Sequence, residues 1–172
     1  MTPEWSRPER LDAIGERDKP VHIEADEGER IALARRFELK AVDRLAADLV
    51  VRRDAAGVLV TGRVRGDVVQ ACGVTDEPVP AVVDEEVALR FVEALDGEEE
   101  VELSADAMDV VVIEGGAIDL GEAAAETMAL ALDPFPRSPN AARALREAGV
   151  ISEDEVQPMN AFAGLKDKLA GR

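Results

Sequence analysis

The residues best equipped for covalent or metal chemistry are Cys72, in the stretch VVQACGVTDEPV, and His22, the chain's one cysteine and one histidine. A structural zinc ion is usually held by four Cys or His ligands, and two do not fill such a site. A thiol nucleophile needs a base to become thiolate, and His22 is the only imidazole available. Nothing in the spacing requires the two to meet. Free cysteine is among the most buried residue types, so Cys72 reads as a small packed thiol at a strand end. His22 reads as a strand surface position. Carboxylates are so numerous that no pair stands out, and Gly115-Gly116 and the isolated Gly62 and Gly66 match no phosphate-cradling loop. The expectation is therefore no catalytic residue, no cofactor and no metal, and a chain that is not an enzyme.

The arginines offer a different chemistry. Arg35 with Arg36, Arg52 with Arg53, Arg63 with Arg65, and Arg137 with Arg143 and Arg146 form four local clusters. A guanidinium fork matches the oxygens of a phosphate. The competing reading is that each neutralises a nearby carboxylate, as Asp48 could for Arg63. Arg137 stands in DPFPRSP, where flanking prolines reduce the entropy lost on binding.

Charge distribution decides how much of that chemistry is open. The chain has 172 residues and a formal net charge of −17, which alone argues against a polyanionic partner. Residues 1–75, however, hold 14 acids and 13 bases, and residues 127–172 hold 6 of each. Residues 76–126 hold 17 acids against Arg90 alone. The excess is one central acidic tract, which is either a solvated surface or a surface for a basic partner. Hydrophobic residues make up 47% and aromatics 3%, so a core of Val, Leu, Ile and Ala is expected. The opening MTPEWSRPER has no apolar stretch resembling a signal peptide, and no run approaches the length of a spanning helix. A soluble, cytoplasmic protein is expected.

The elements that must position these groups follow from periodicity. Residues 1–18 read as a flexible lead-in, and 19–172 as a single domain. KPVHIEA alternates like a short strand, and ERIALARRFEL reads as a short helix. In RLAADLVVRRDAAGVLVTGRVRGDVVQAC, two alternating runs flank DAAG and give a hairpin. Setting Arg53 opposite Val58 puts Leu49 opposite Gly62 and Asp48 opposite Arg63, and a one-residue slip breaks the apolar match. Arg65-Gly66-Asp67 is a candidate bend or bulge. Pro78 and Pro80 are expected to interrupt pairing, with EEVALRFVEAL and MDVVVIEGG as further strands. Asp119 is a candidate N-cap for a helix through IDLGEAAAETMALALD, which Asp133-Pro134 should end. Ser138 is placed to cap a second helix ending at Gly149. SEDE and Asn160 signal helix starts beyond it. The class expected is α+β: an antiparallel core over about 44–114, an N-terminal short helix, and C-terminal helices.

In this order the pieces resemble the YceD family of large-subunit ribosomal RNA accumulation proteins, in its alphaproteobacterial form. ERIALARRFEL and AVDRLAADLVVRR look like its early helix and first long strand. VLVTGRVRGDVVQACGVTDEPV is similar to its central segment at Gly62, Gln70, Cys72, Thr75 and Pro78. IDLGEAAAETMALALDPFPRSPNA resembles its C-terminal signature at Asp119, Asp133, Pro134, Pro136, Arg137 and Pro139. Thr75 stands where some relatives carry a second cysteine, and Asp76 where leucine is more usual. The resemblance implies a role in the synthesis, processing or stability of large-subunit ribosomal RNA, without a catalytic mechanism.

Together these readings favour a non-enzymatic ribosome-biogenesis factor. Arg35, Arg36, Arg63, Arg65 and Arg137 are expected to contact RNA or a pre-ribosomal particle. Cys72, Gly62, Pro134 and Pro136 are expected to be structural. The alternative is an acidic escort that holds a basic ribosomal protein through the 76–126 block, with Glu98, Glu99, Glu100 and Glu102 as its surface. No membrane partner is expected.

Overall fold

The computed structural model describes residues 3–93, 109–113 and 115–150. Glu98, Glu99, Glu100 and Glu102 lie outside the described residues, as do the helix starts read at SEDE and Asn160. The described chain runs β1 (Pro8–Arg10), a 3-10 turn (Leu11–Ala13), β2 (Lys19–Glu24), α1 (Glu27–Arg36), β3 (Ala41–Asp54) and β4 (Gly57–Ala71). It continues through β5 (Pro78–Glu93), β6 (Asp109–Ile113), β7 (Ala117–Asp119), α2 (Leu120–Leu130) and α3 (Ala141–Glu147).

The hairpin forms in the register that its apolar pattern dictates. Arg53 faces Val58, Val51 faces Val60, Leu49 faces Gly62 and Asp48 faces Arg63. A one-residue slip would break the match of the Leu45, Leu49 and Val51 face with the Val58, Val60 and Val64 face, and all six are buried. At Gly62, with φ +149°, a Cβ would stand 2.1 Å from the Asp48 carbonyl oxygen, so only glycine fits against β3 there. The bend or bulge expected at Arg65-Gly66-Asp67 is found at this level of the ladder, opposite Asp67 and Val68, but not on β4 itself. β4 is continuous, and the irregularity lies on its partner, between Val42 and Arg44.

The expected class is corrected on four points. Strand accounts for 47% of the described residues and helix for 23%, so the sheet dominates. The five-stranded sheet, in the order β2-β3-β4-β5-β6, starts at Lys19 rather than near 44. It is mixed, because β6 joins β5 in parallel. The early helix is no N-terminal flank: α1 is inserted between two strands of the sheet, capped by Asp26 and Glu29 in a reciprocal capping box. The pairing break at Pro78 and Pro80 is also corrected, since Pro78 faces Ala71 and Pro80 faces Val69. β6 reaches only Leu89–Glu93, so among the described residues the first half of β5 has no partner on its outer side, where prolines are tolerated.

One face of the sheet carries the core. Val83, Val87 and Phe91 of β5 join the β3 and β4 set, closed over by Leu33 of α1 and Leu120, Ala124 and Met128 of α2. The lead-in expected at residues 1–18 is docked in its described part. Trp5 is fully buried, and β1 pairs with β7. Asp119 holds this arrangement. As N-cap of α2 it accepts from the amides of Gly121 and Glu122, and it also accepts from the Ser6 hydroxyl and the Arg7 amide. Gly121 lets the Trp5 backbone lie against the helix, since a Cβ there would stand 2.1 Å from the Trp5 carbonyl oxygen.

Candidate nucleic-acid interface

The opposite face of the sheet places the central arginines among carboxylates. Side chains alternate across a strand, so Arg63 and Arg65 share that face. Arg63 donates to Asp84 and Glu86, both at 3.0 Å. Arg65 donates to Asp48 at 2.9 Å and lies 3.6 Å from Asp84. His22 Nδ1 is 2.7 Å from the other Asp48 oxygen. The result is a charge ladder across β2, β3, β4 and β5 that runs His22, Asp48, Arg65, Asp84, Arg63, Glu86. Asp48 does face Arg63 in register, yet it pairs diagonally with Arg65, because Glu86 lies directly opposite Arg63 on the other neighbouring strand. His22 and Arg65 together hold the Asp48 carboxyl below its usual range, His22 contributing most.

Arg36 is engaged as well. It forms a fork with Glu122, at 2.6 and 2.8 Å, and reaches Glu4 at 3.0 Å, which raises its already high pKa. Arg35, one position earlier on α1, is exposed and has no ion pair among the described residues. With Arg30, Leu39 and Lys40 it lines a groove of about 450 Å³ between α1 and the start of β3.

Arg137 belongs to a second assembly at that same end of the sheet, where the turn between β4 and β5 meets the segment after α2. Gln70 Nε2 donates to the Asp133 carbonyl at 2.8 Å, and the Gly73 amide donates to the Pro136 carbonyl at 2.9 Å. The Thr75 and Ser138 hydroxyls lie 3.1 Å apart, and Asn140 donates to Glu77 at 2.9 Å. Lys40 ties the turn to the α1 groove through Asp76 at 3.0 Å. Ser138 was expected to cap the following helix. It is buried against Thr75 instead, and α3 starts after Asn140 without a side-chain cap. Ser138, Asn140 and Thr75 hold the Glu77 carboxyl below its usual range, with help from Arg143.

Cys72 sits inside this junction, buried. The amides of Val74 and Thr75 both approach its sulfur at 3.4 Å. Burial pushes the thiol up, but the Ser138 backbone, Thr75, the Val74 backbone and the Ser138 hydroxyl outweigh it and bring the thiol down to about 6. His22 is engaged with Asp48 on the outer sheet face and is no partner of this sulfur.

From this anchored segment two side chains are presented outward. Arg137 is exposed and has no ion pair among the described residues. Phe135 is 74% exposed, and its amide donates to the Asp133 side chain at 2.8 Å. Pro134 is exposed and Pro136 half-buried. Sequence reasoning singled out Arg137 and missed Phe135, Glu77 and Asn140. The prolines signalled a stiff segment, but no local pattern says which way Phe135 faces.

Of the five candidate arginines, the structure brings Arg63 and Arg65 together within a carboxylate ladder and fixes Arg36 in a separate ion pair. It leaves Arg35 and Arg137 open at one end of the sheet. No helix among the described residues is long and apolar enough to cross a membrane. No curated protein and no solved structure matches the chain. A family model described as large ribosomal RNA subunit accumulation protein YceD matches residues 60–167.

Proposed function

The chain belongs to the YceD family, whose description ties it to accumulation of large-subunit ribosomal RNA, and on that footing we propose that it supports this RNA as a non-enzymatic factor through direct contact with RNA or a pre-ribosomal particle. Arg35 and Arg137 are the contacts this reading favours. The observation that carries it is the division among the arginines. Arg36, Arg63 and Arg65 already face carboxylates, and a fork so occupied must give up its partner before it takes a phosphate. Among the described residues Arg35 and Arg137 have no carboxylate to give up.

A second reading rests on a separate observation. An open groove of about 1110 Å³ between β5, β6 and α2 is lined by Glu85, Asp109 and Glu126 among its acids, with Val111 and Leu130 among its apolar residues, and among the described residues no Lys or Arg is in its lining. That chemistry suits a basic ribosomal protein held before assembly, with Glu98, Glu99, Glu100 and Glu102 contributing to the same acidic tract.

Crosslinking in cells, with RNA and protein both recovered, separates the two. The first reading expects large-subunit ribosomal RNA, reduced several-fold in an Arg35→Ala/Arg137→Ala variant and near the wild-type level in Arg63→Ala/Arg65→Ala. Recovery of basic ribosomal proteins without RNA, reduced by Glu85→Gln with Glu126→Gln, favours the escort. Recovery of neither defeats both.

A further inference from the structure

We infer that Phe135 and Arg137 together form a reader for single-stranded RNA, in which the phenyl ring stacks on an unpaired base and the guanidinium takes a neighbouring phosphate. The inference rests on the RNA-contact reading above and names the form of RNA that the ledge accepts.

Four aromatic residues fall among the described residues. Trp5 and Phe91 are buried, and Phe37 is partly covered. Phe135 alone is left open, at 74% exposure. A single exposed apolar residue is ordinarily unremarked, but this one is not on a loose loop. Its backbone is bracketed by the Gln70 bond to Asp133 on one side and the Gly73 bond to Pro136 on the other. Pro134 and Pro136 fix φ on both sides of it. Little conformational freedom therefore remains to be lost when the ring meets a partner.

Arg137 stands two positions further on, with only Pro136 between them. Ser138, the next residue, is buried and held by Thr75, so the arginine's backbone is anchored as firmly as that of Phe135. An aromatic ring beside an uncommitted guanidinium is the combination by which single strands are bound. The ring stacks on bases, and the cation takes the backbone. A duplex keeps its bases stacked on one another and offers the ring no free face. Within residues 127–150 three arginines stand against two acids, Asp133 and Glu147, and Glu77, the acid packed into the same junction, is held by Asn140 and lies near Arg143 rather than pairing with Arg137.

The test uses the full chain and three short RNAs of equal length: a single strand, its duplex, and an abasic strand that keeps the phosphates. Phe135→Ala should weaken single-strand binding about 5- to 150-fold, the range for losing one stacked base. It should erase the preference over the abasic strand and leave duplex binding unchanged. Arg137→Ala should lower the salt dependence of single-strand binding by about 0.7 in the log–log slope, the contribution of one phosphate, and Phe135→Ala should leave that slope alone. Both variants should unfold at the wild-type midpoint, because neither side chain is packed. Equal binding by Phe135→Ala and wild type, or no wild-type preference for the single strand over the abasic one, overturns the inference. A photo-crosslinking residue at position 135 that captures only protein overturns it in favour of a protein contact. A wild-type chain that still crosslinks to large-subunit RNA in cells while showing no Phe135 effect loses this reader and keeps the RNA-contact function. Absence of that RNA from the cellular crosslinks removes the function itself.

Discussion

At Cys72, acidity and accessibility point in opposite directions. A thiol brought to about 6 would ordinarily be read as a nucleophile, yet Cys72 is only 3% exposed. The groups that favour thiolate, the Ser138 backbone first and then Thr75 and the Val74 backbone, belong to the turn and to the segment packed on it, so the charge stabilises their junction. The sign follows from linkage. The ordinary value is 9.0 and the folded value is about 6, so the folded state holds thiolate more tightly than the unfolded chain does. The stabilisation is complete above the ordinary pKa and disappears as pH falls through about 6. The stability difference between wild type and Cys72→Ser, read from urea midpoints, should be larger near the alkaline end of that window than below it. Thiolate absorbance should titrate with a midpoint near the lower value, and a midpoint at the ordinary value would sink the donor account. Alkylation of the folded protein should remain slow throughout, because burial blocks the reagent.

Among the elements, the β3–β4 hairpin is the most strongly specified. Its register is written twice, once in the apolar face and once in the single position that admits no side chain. Gly62→Ala would drive a Cβ against the Asp48 carbonyl at 2.1 Å and strain a backbone with φ +149°. A loss of about 2 kcal/mol or more is expected, measured by urea unfolding. Gly66→Ala is the control: φ there is ordinary, and the nearest heavy atom to a new Cβ is 3.1 Å away, so the loss should be smaller. Equal losses would mean that the close strand approach is not what selects glycine at position 62. The ladder above the hairpin explains why arginines that suit phosphate at the sequence level end up paired. Each strand brings carboxylates to the same row of the sheet as its neighbour's guanidiniums, and opposite charges on adjacent strands satisfy one another.

For the whole molecule, the docked N-terminus changes what counts as the domain. Trp5 is among the largest fully buried side chains and belongs to the same core as the sheet and α2. Trp5→Ala should therefore destabilise the protein by about 3–5 kcal/mol, as read from denaturant midpoints. The indole N–H is the one buried side-chain polar atom without a partner among the described residues. Trp5→Phe forfeits no hydrogen bond and should fall well short of the alanine loss. If Trp5→Ala is close to neutral, the lead-in is not part of the core.

The amino-acid sequence by itself determined the elements whose signals are local. Alternation of Val and Leu on either side of DAAG wrote the hairpin and its register, Asp119 marked the start of α2, and the order of short segments carried the family resemblance. Tertiary structure alone decided which charges remain open. Whether Arg63 or Arg137 keeps a free guanidinium depends on what neighbouring strands and distant loops bring within reach, and Asp84 and Glu86 lie some twenty positions from Arg63 along the chain. The same holds for the parallel entry of β6, the burial of Trp5 and Ser138, and the exposure of Phe135. Each is settled by partners far away in sequence, because packing and pairing depend on distance in space, while local patterns report only distance along the chain.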